Sequence, residues 1–388
     1  MSTAQVTFTD LERERLARVA LTQLVEPGSL IFDTLMPGST ATELYRRFAE
    51  GDPVLGEAAV HAATRLAEIR PDRDLELAAR AGYRYVIPGD DEWPDQVERL
   101  TGLEHVQYRT GTPLGLWVRG RLQLSDLSRS VAIVGSRDAT AYGADAAARI
   151  AADLAVNDYV IISGGAVGID AAAHRGALTG PPGSTVAVLA CGVDRPYPLQ
   201  NSRLIDAIAD SGAVVSELAP GVQVTRYRFL ARNRVIAALA RGTVVVEAAA
   251  RSGALNTANW AYRMNTPVMA VPGPVGEMQS VGAHNLVRTG KGVLVTCARD
   301  VRELIGDAGD DLTDEPRGPV RRRDVLTPVE KEVLDAVPVS TPIPATSIAR
   351  SAGKHPRTVG QAMARLEYLG LAERTPDGWR LAPGAART

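Results

Sequence analysis

Seven short runs of β-branched and aliphatic residues alternate with six alanine-rich stretches between residues 131 and 297. No other feature constrains the fold as much. The runs lie at 131–135, 159–163, 185–191, 213–218, 243–248, 267–272 and 292–297, and the helical stretches at 143–156, 168–178, 201–211, 229–241, 255–264 and 281–289. Near-continuous apolar runs belong to strands buried on both faces, and helices between them supply the cover. The pattern therefore predicts an α/β protein built on a Rossmann-like, mostly parallel sheet. Strand-type segments at 83–88 and 114–120 extend this region to 81–306.

The flanks read differently. Residues 1–80 carry apolar residues at helical spacing at 11–24, 41–49 and 55–69, with Glu26-Pro27-Gly28-Ser29 as a turn and Pro71 as a stop, and so predict a small helical module. Residues 307–323 combine Pro, Gly and clustered charge with few apolar side chains, the composition of a flexible linker. In 324–388, Thr327 and Pro328 open a helix, short helices follow at 343–352 and 356–369, and a hairpin turns at Pro376-Asp377-Gly378. Three helices and a hairpin predict a winged helix.

Two of the strand-type runs end in glycine turns, Gly135-Ser136-Arg137 and Ser163-Gly164-Gly165-Ala166-Val167-Gly168. A strand, a glycine turn and a helix start aim free backbone N–H groups and the positive end of the helix dipole at one point, which suits a phosphate. The first turn lacks G-x-G-x-x-G spacing, and the second strand ends in another phosphate-type turn where a dinucleotide site needs a ribose-binding acid. No G-x-x-x-x-G-K-[ST] occurs either. Arg137 can add a bidentate contact to a phosphate held by the turn, or cap the sheet edge as a surface residue.

The formal net charge is −2, so a nucleic-acid partner needs a local basic patch. Such a patch exists. Arg226, Arg228, Arg232, Arg234, Arg241 and Arg251 face one acid, Glu247, with Tyr227 and Phe229 interleaved. Cations that track a backbone beside aromatic platforms are what single-strand binding requires, although a solvated basic helix face has the same composition. Ser252, Gly253 and Thr257 form a third small, polar strand-to-helix turn, fit for phosphate contact or helix capping. Asp170 and His174 share a helix face and, with Glu217 or Glu247, invite an acid–base reading. Capping by Asp170 and packing of His174 account for them better.

The two cysteines, Cys191 and Cys297, read as buried free thiols of a reducing cytoplasm. The five histidines form no metal-ligand spacing, so neither a metal nor a cofactor is expected. No apolar run approaches the ~18 residues of a membrane span, and the N-terminus lacks a basic-then-apolar leader. A cytoplasmic protein without membrane partners is the expectation.

Taken in order, Gly135-Ser136-Arg137, Ser163-Gly164-Gly165-Ala166-x-Gly168-Ile169-Asp170, Cys191-Gly192-x-Asp194 with Tyr197-Pro198 and Asn201, Phe229-Leu-Ala-Arg232-Asn233-Arg234, Ser252-Gly253 and Val271-Pro272-Gly273 resemble the DNA-processing protein DprA (Smf) family over 130–290. The resemblance implies an extended Rossmann-like fold that binds single-stranded DNA without catalysis. It implies a recombination mediator that protects incoming strands in natural transformation, helps load the RecA recombinase and forms a homodimer. The helical N-terminus resembles the family's helix-hairpin-helix or SAM-like region. The resemblance also implies DNA contacts at Gly135, Ser136, Arg137, Ser163, Gly164, Gly165, Gly168, Arg232, Asn233, Arg234, Ser252 and Gly253. This chain departs from the family where members often carry a lysine between Tyr-Pro and Asn. Leu199 and Gln200 stand there, and the nearest cation is Arg203.

Two other classes share parts of this pattern. A phosphoribohydrolase-like nucleotide enzyme shares the scaffold but needs a P-G-G-x-G-T-x-x-E stretch, where this chain has Glu247-Ala-Ala-Ala-Arg-Ser-Gly. A duplex-binding regulator would act through 324–388, where eight basic residues nearly balance seven acids.

Overall fold

The computed structural model describes residues 9–55, 57–107, 109–307, 321–383 and 385. Contacts divide the chain into two compact units, Met1–Leu312 and Thr313–Thr388. The linker expected at 307–323 lies mostly outside the described residues.

The first unit opens with α1 (Asp10–Leu24), α2 (Leu30–Leu35), α3 (Ala41–Ala49), α4 (Glu57–Glu68) and α5 (Pro71–Arg80). A capping box between Thr9 and Glu12 starts α1, and Ser29 caps α2. Helix α4 ends at Glu68, before Pro71 as expected, and Pro71 then begins α5, because proline at the first helical position gives up an N–H that has no intrahelical partner anyway. Leu21, Leu44, Phe48 and Leu66 form a small core of these helices. Val19 and Ala78 pack into a second core with Tyr85, Trp117 and Ile208, so the helices share apolar contacts with the sheet.

The sheet unit then runs β1 (Tyr83–Val86), β2 (Leu116–Gly120), β3 (Ser130–Val134), α6 (Ala141–Val156), β4 (Val160–Ser163), α7 (Ile169–Ala177), β5 (Thr185–Val188), α8 (Ser202–Ser211), β6 (Ala213–Ser216), α9 (Arg226–Leu239), β7 (Thr243–Val245), α10 (Gly253–Arg263), β8 (Val268–Ala270), α11 (Val281–Arg288), β9 (Val293–Leu294) and α12 (Ala298–Ile305). Among the described residues, nine strands form one sheet in the order β1-β2-β6-β5-β4-β3-β7-β8-β9. The strands from β6 to β9 in that order are parallel to their neighbours, and β2 pairs antiparallel with both β1 and β6. This is the mostly parallel α/β architecture that the alternation predicts.

Strand parity sends alternate side chains to opposite cores. Ala132, Val134, Ile162, Val186, Val188 and Val245 pack on one face beneath α9 and α10. Val131, Ile133, Ile161, Val244 and Val246 pack on the other beneath α6, α7 and α12. The strands are shorter than the apolar runs. The 185–191 run leaves the sheet after Val188, yet Leu189, Ala190 and Cys191 stay buried, so burial rather than pairing sets the length of the run. Helix α12 was not expected. Cys297 stands at its N-cap and is half-buried rather than buried, a correction to its reading as the end of a strand.

The second unit contains α13 (Pro328–Asp335), α14 (Ala345–Ala352), α15 (Pro356–Tyr368) and the antiparallel pair β10 (Ala372–Thr375) and β11 (Gly378–Leu381). Three helices and a hairpin thus follow in the expected order. Thr327 and Glu330 form a capping box, and Val333, Ile348, Val359, Met363 and Leu366 make the core.

Candidate nucleic-acid interface

From β3 the chain fills β4, β5 and β6 on one side of the sheet, then returns through α9 to fill β7, β8 and β9 on the other. The reversal between β3 and β7 is a topological switch point, and the crevice outside the carboxyl ends of the strands there is where open α/β sheets bind ligands. Both glycine turns open at this edge, one after β3 and one after β4.

The turns interlock. Ile169 N–H donates to the Ser136 carbonyl at 3.1 Å, and Ser136 N–H donates to the Glu247 carbonyl, beyond β7, at 2.7 Å. Gly168 has φ +80°, and a Cβ there would strike the Ser136 and Arg137 carbonyls. The Ser136 hydroxyl accepts from Asp138 N–H at 3.1 Å. The Glu247 carboxylate holds the first turn from behind, accepting from Thr140 N–H at 3.0 Å and its hydroxyl at 2.5 Å. The Asn201 amide donates to the Gly165 carbonyl at 3.0 Å.

Within the second turn the N–H groups divide. Gly164 and Ala166 donate to the buried Asp170 carboxylate at 3.2 and 3.4 Å. The N–H groups of Gly165, Val167 and Gly168, like those of Gly135 and Arg137, make no hydrogen bond among the described residues. These five are the donors that the crevice can offer an anion. Asp170 is therefore less a helix cap than a template for the turn, fixing two N–H groups so that their neighbours stay open.

Arg232 joins this assembly from α9. Its guanidinium lies over Gly164, so a Cβ added there would displace the guanidinium from the turn. The side chain is buried, and its Nε and Nη1 have no partner among the described residues. Burial pushes its pKa down to about 10, against the pull of Asp170 and with the push of Arg137. Burial likewise raises the Asp170 carboxyl, offset by Arg232 and the two turn N–H groups. Arg137 is exposed, with its guanidinium 4.7 Å from the centre of the Phe229 ring, and Tyr197 packs beside Phe229 at 5.8 Å. The crevice thus holds open amides, two arginines and an aromatic pair.

Other expected residues are engaged internally or lie outside the two turns. The Ser163 hydroxyl is buried and donates to the Ile133 carbonyl at 2.6 Å, so it is not free for a ligand. Ser252 caps α10 by accepting from Ala254 N–H at 3.3 Å, and Gly253 is the first residue of that helix. Thr257 is buried inside it. Asn233 bridges to the Gly253 carbonyl and the Asn256 side chain, both at 3.3 Å. Arg234 is buried and ion-paired with Glu217 at 2.7 Å, away from the glycine turns.

The basic helix is not a solvated face, because Ala231–Leu239 is buried throughout. Arg228 pairs with Glu26 and Arg241 with Asp307, partners distant in sequence that remove much of the apparent local charge. Nor do the acid–base candidates assemble. His174 is buried, its Nδ1 meets the Thr185 hydroxyl at 2.8 Å, and burial pushes its pKa down to about 3. Burial pushes the Cys191 thiol up to about 11.

These observations define a doubly wound α/β protein whose switch-point crevice presents backbone amides and a buried guanidinium. Comparison with known proteins gives the particular family. The profile of "DNA recombination-mediator protein A" matches residues 84–306. The chain is 43% identical over 366 residues to the DNA processing protein DprA of Mycobacterium tuberculosis, an alignment covering 93% of this chain and 92% of that one. The X-ray structure of DprA from Streptococcus pneumoniae matches with TM-score 0.62 at 29% identity, covering 78% of this chain and all of that one. DNA processing protein A of Helicobacter pylori, described for its single-stranded DNA binding mode, matches with TM-score 0.50 at 28% identity over 57% of this chain and 94% of that one. The chain belongs to the DNA recombination-mediator protein A family, and its role is in DNA processing. Among the described residues, no helix is long and apolar enough to cross a membrane.

Proposed function

We propose that the protein binds single-stranded DNA along the switch-point crevice and mediates recombination in the cytoplasm by binding, without a catalytic step. The observation that carries this reading is Arg232, a buried guanidinium with two open N–H positions, set beside five unpaired backbone amides. A buried charged donor left without a partner is costly, and an arriving phosphate oxygen removes that cost. Successive phosphates would meet the first turn with Arg137 and the second turn with Arg232, while Phe229 and Tyr197 offer faces to bases. Because Asp170, His174, Glu217 and Glu247 are all held by internal partners, a general acid–base pair has no support here. Family membership supports extending the proposal to protection of incoming strands, loading of RecA and homodimerisation during natural transformation.

Fluorescence anisotropy with single-stranded and duplex oligonucleotides tests it. Single strands should bind more tightly, and log affinity should fall with log salt by about 0.7 per phosphate neutralised. Gly168→Ala should weaken binding, because its Cβ wedges the second turn off the first. Equal affinity for both nucleic acids, or full binding by Gly168→Ala, would reject the crevice as the site.

A further inference from the structure

A second cavity, of about 320 Å³, lies between the N-terminal helices and the sheet, on the Arg234 side of α9. Its apolar wall includes Phe32, Met36, Pro88 and Pro113. Arg234 reaches it as a side chain that is 1% exposed. Nη2 is tied to Glu217, while Nε and Nη1 have no partner among the described residues. Arg234 Nε lies beside Gly28, whose carbonyl accepts from Thr110 N–H, and the Asp33 carboxylate lies beside Gly111. An unpaired donor group and a carboxylate thus share the wall formed by Thr110 and Gly111. No hydrogen bond to the Asp33 carboxylate occurs among the described residues.

The charge balance selects the ligand. Two arginines line the cavity, Arg18 and Arg234, against four acids, Glu26, Asp33, Glu98 and Glu217. Arg18 is already held by Glu14 and the Leu114 carbonyl, and Glu26 and Glu217 are paired with Arg228 and Arg234, so the acid excess rests on Asp33 and Glu98. Such an acid excess disfavours a phosphate or other anion. It suits a neutral flat ring that offers an acceptor edge to Arg234 and N–H donors to Asp33, with its faces on proline and Phe32. Guanine has those features. Its O6 and N7 accept from arginine, and its N–H groups can donate to a carboxylate. The volume falls at the small end of ligand sites, consistent with one base.

We propose that this cavity is a nucleobase pocket for a guanine-type ring, held by Arg234 on its acceptor edge and by Asp33 on its donor edge. The base comes either from a free nucleoside or from a nucleotide of a bound strand. The pocket is separate from the phosphate contacts at the glycine turns.

Calorimetric titration of the full chain with guanosine, thymidine and inorganic phosphate tests it. Guanosine should bind, thymidine should bind at least about tenfold more weakly, and phosphate should not compete with guanosine. Asp33→Asn should weaken guanosine by about tenfold. The pair Arg234→Gln with Glu217→Gln, which removes both charges but leaves side chains able to bond each other, should weaken it as well, with circular dichroism confirming the fold. A thymidine oligomer and the same oligomer with one central dG separate the sources. A preference for dG that Asp33→Asn abolishes assigns the base to the strand, and guanosine binding without that preference assigns it to a free nucleoside. No guanosine binding at millimolar concentration together with no dG preference, or wild-type behaviour of Asp33→Asn in both assays, overturns the proposal. Binding of the plain thymidine oligomer reports the crevice independently, so failure of one site is distinguishable from failure of the other.

Discussion

Arg232 and Arg234 stand two positions apart on one helix, both buried, yet they belong to different regions of the molecule. Two positions on an α-helix turn a side chain by about 200°, so one guanidinium lies over Gly164 at the glycine turns and the other enters the cavity under the N-terminal helices. Their counter-charges differ as well. Arg234 is bonded to Glu217 directly. Asp170, near Arg232, is engaged with two backbone amides, which leaves the Arg232 fork open. A run of arginines therefore says little about ligand binding until the source of each counter-charge is known.

The largest expected effect tests the Arg234 side. Arg234→Met leaves Glu217 buried without its partner and should cost about 3–5 kcal/mol in urea unfolding. Affinity for a thymidine oligomer, measured under conditions where the variant is folded, should stay within about twofold. A large loss of that affinity would erase the distinction between the two arginines. Arg232→Lys keeps the charge but loses the planar fork, and should weaken the same oligomer by about tenfold with little change in the unfolding midpoint.

The pH dependence sharpens the Arg232 side, because that charge helps burial to hold His174 neutral. The folded pKa of His174 is about 3, against 6.5 for the free side chain. Between those values the unfolded chain holds the extra proton, so this residue removes stability as pH falls below about 6.5. The raised carboxyls of Asp170 and Glu217 act with the opposite sign, losing stability as pH rises above the ordinary carboxylate range, and they are common to both proteins compared. Chemical denaturation should therefore show His174→Gln losing about 1 kcal/mol less than wild type between pH 7.5 and 5.5. An identical pH profile for the two would mean that His174 is not held neutral in the fold.

The smallest effect is expected at the exposed end of the crevice. Arg137→Ala should leave stability within about 0.5 kcal/mol. It should weaken single strands a few-fold and reduce the salt slope by about 0.7, one phosphate contact.

The sheet was legible because β-branched runs buried on both faces leave a continuous apolar trace, and α6 to α11 fill the intervals between them. The limits of the elements were less so. Leu189 N–H still donates to the Val215 carbonyl at 2.8 Å, but Ala190 and Cys191 are apolar because they are buried, not because they pair. Pro71 was legible as the stop before which α4 ends, but not as the start of α5. Both glycine turns were legible as phosphate cradles, but their division into occupied and open amides depends on Asp170, whose side chain reaches back across the turn. The local excess of arginine was misleading for the same kind of reason. Glu26, Glu217 and Asp307 lie far along the chain or across the fold from the arginines that they neutralise. Asn201 could be found only as one element of an ordered motif, since its bond to the Gly165 carbonyl is made between separate loops.

The open amides of Gly135, Arg137, Gly165, Val167 and Gly168 belong to the main chain. Apart from proline, which carries no backbone N–H, a substitution cannot delete a main-chain donor as it deletes a hydroxyl or an amide side chain; it can only displace the loop that carries it. A grip built this way tolerates drift at most surrounding positions, provided that Gly164 and Gly168 stay small and Asp170 stays acidic. Amides of this kind meet phosphates and not base edges, so on the proposed reading the glycine turns would accept a strand of any sequence, and a preference for guanine would come from the Arg234 cavity alone.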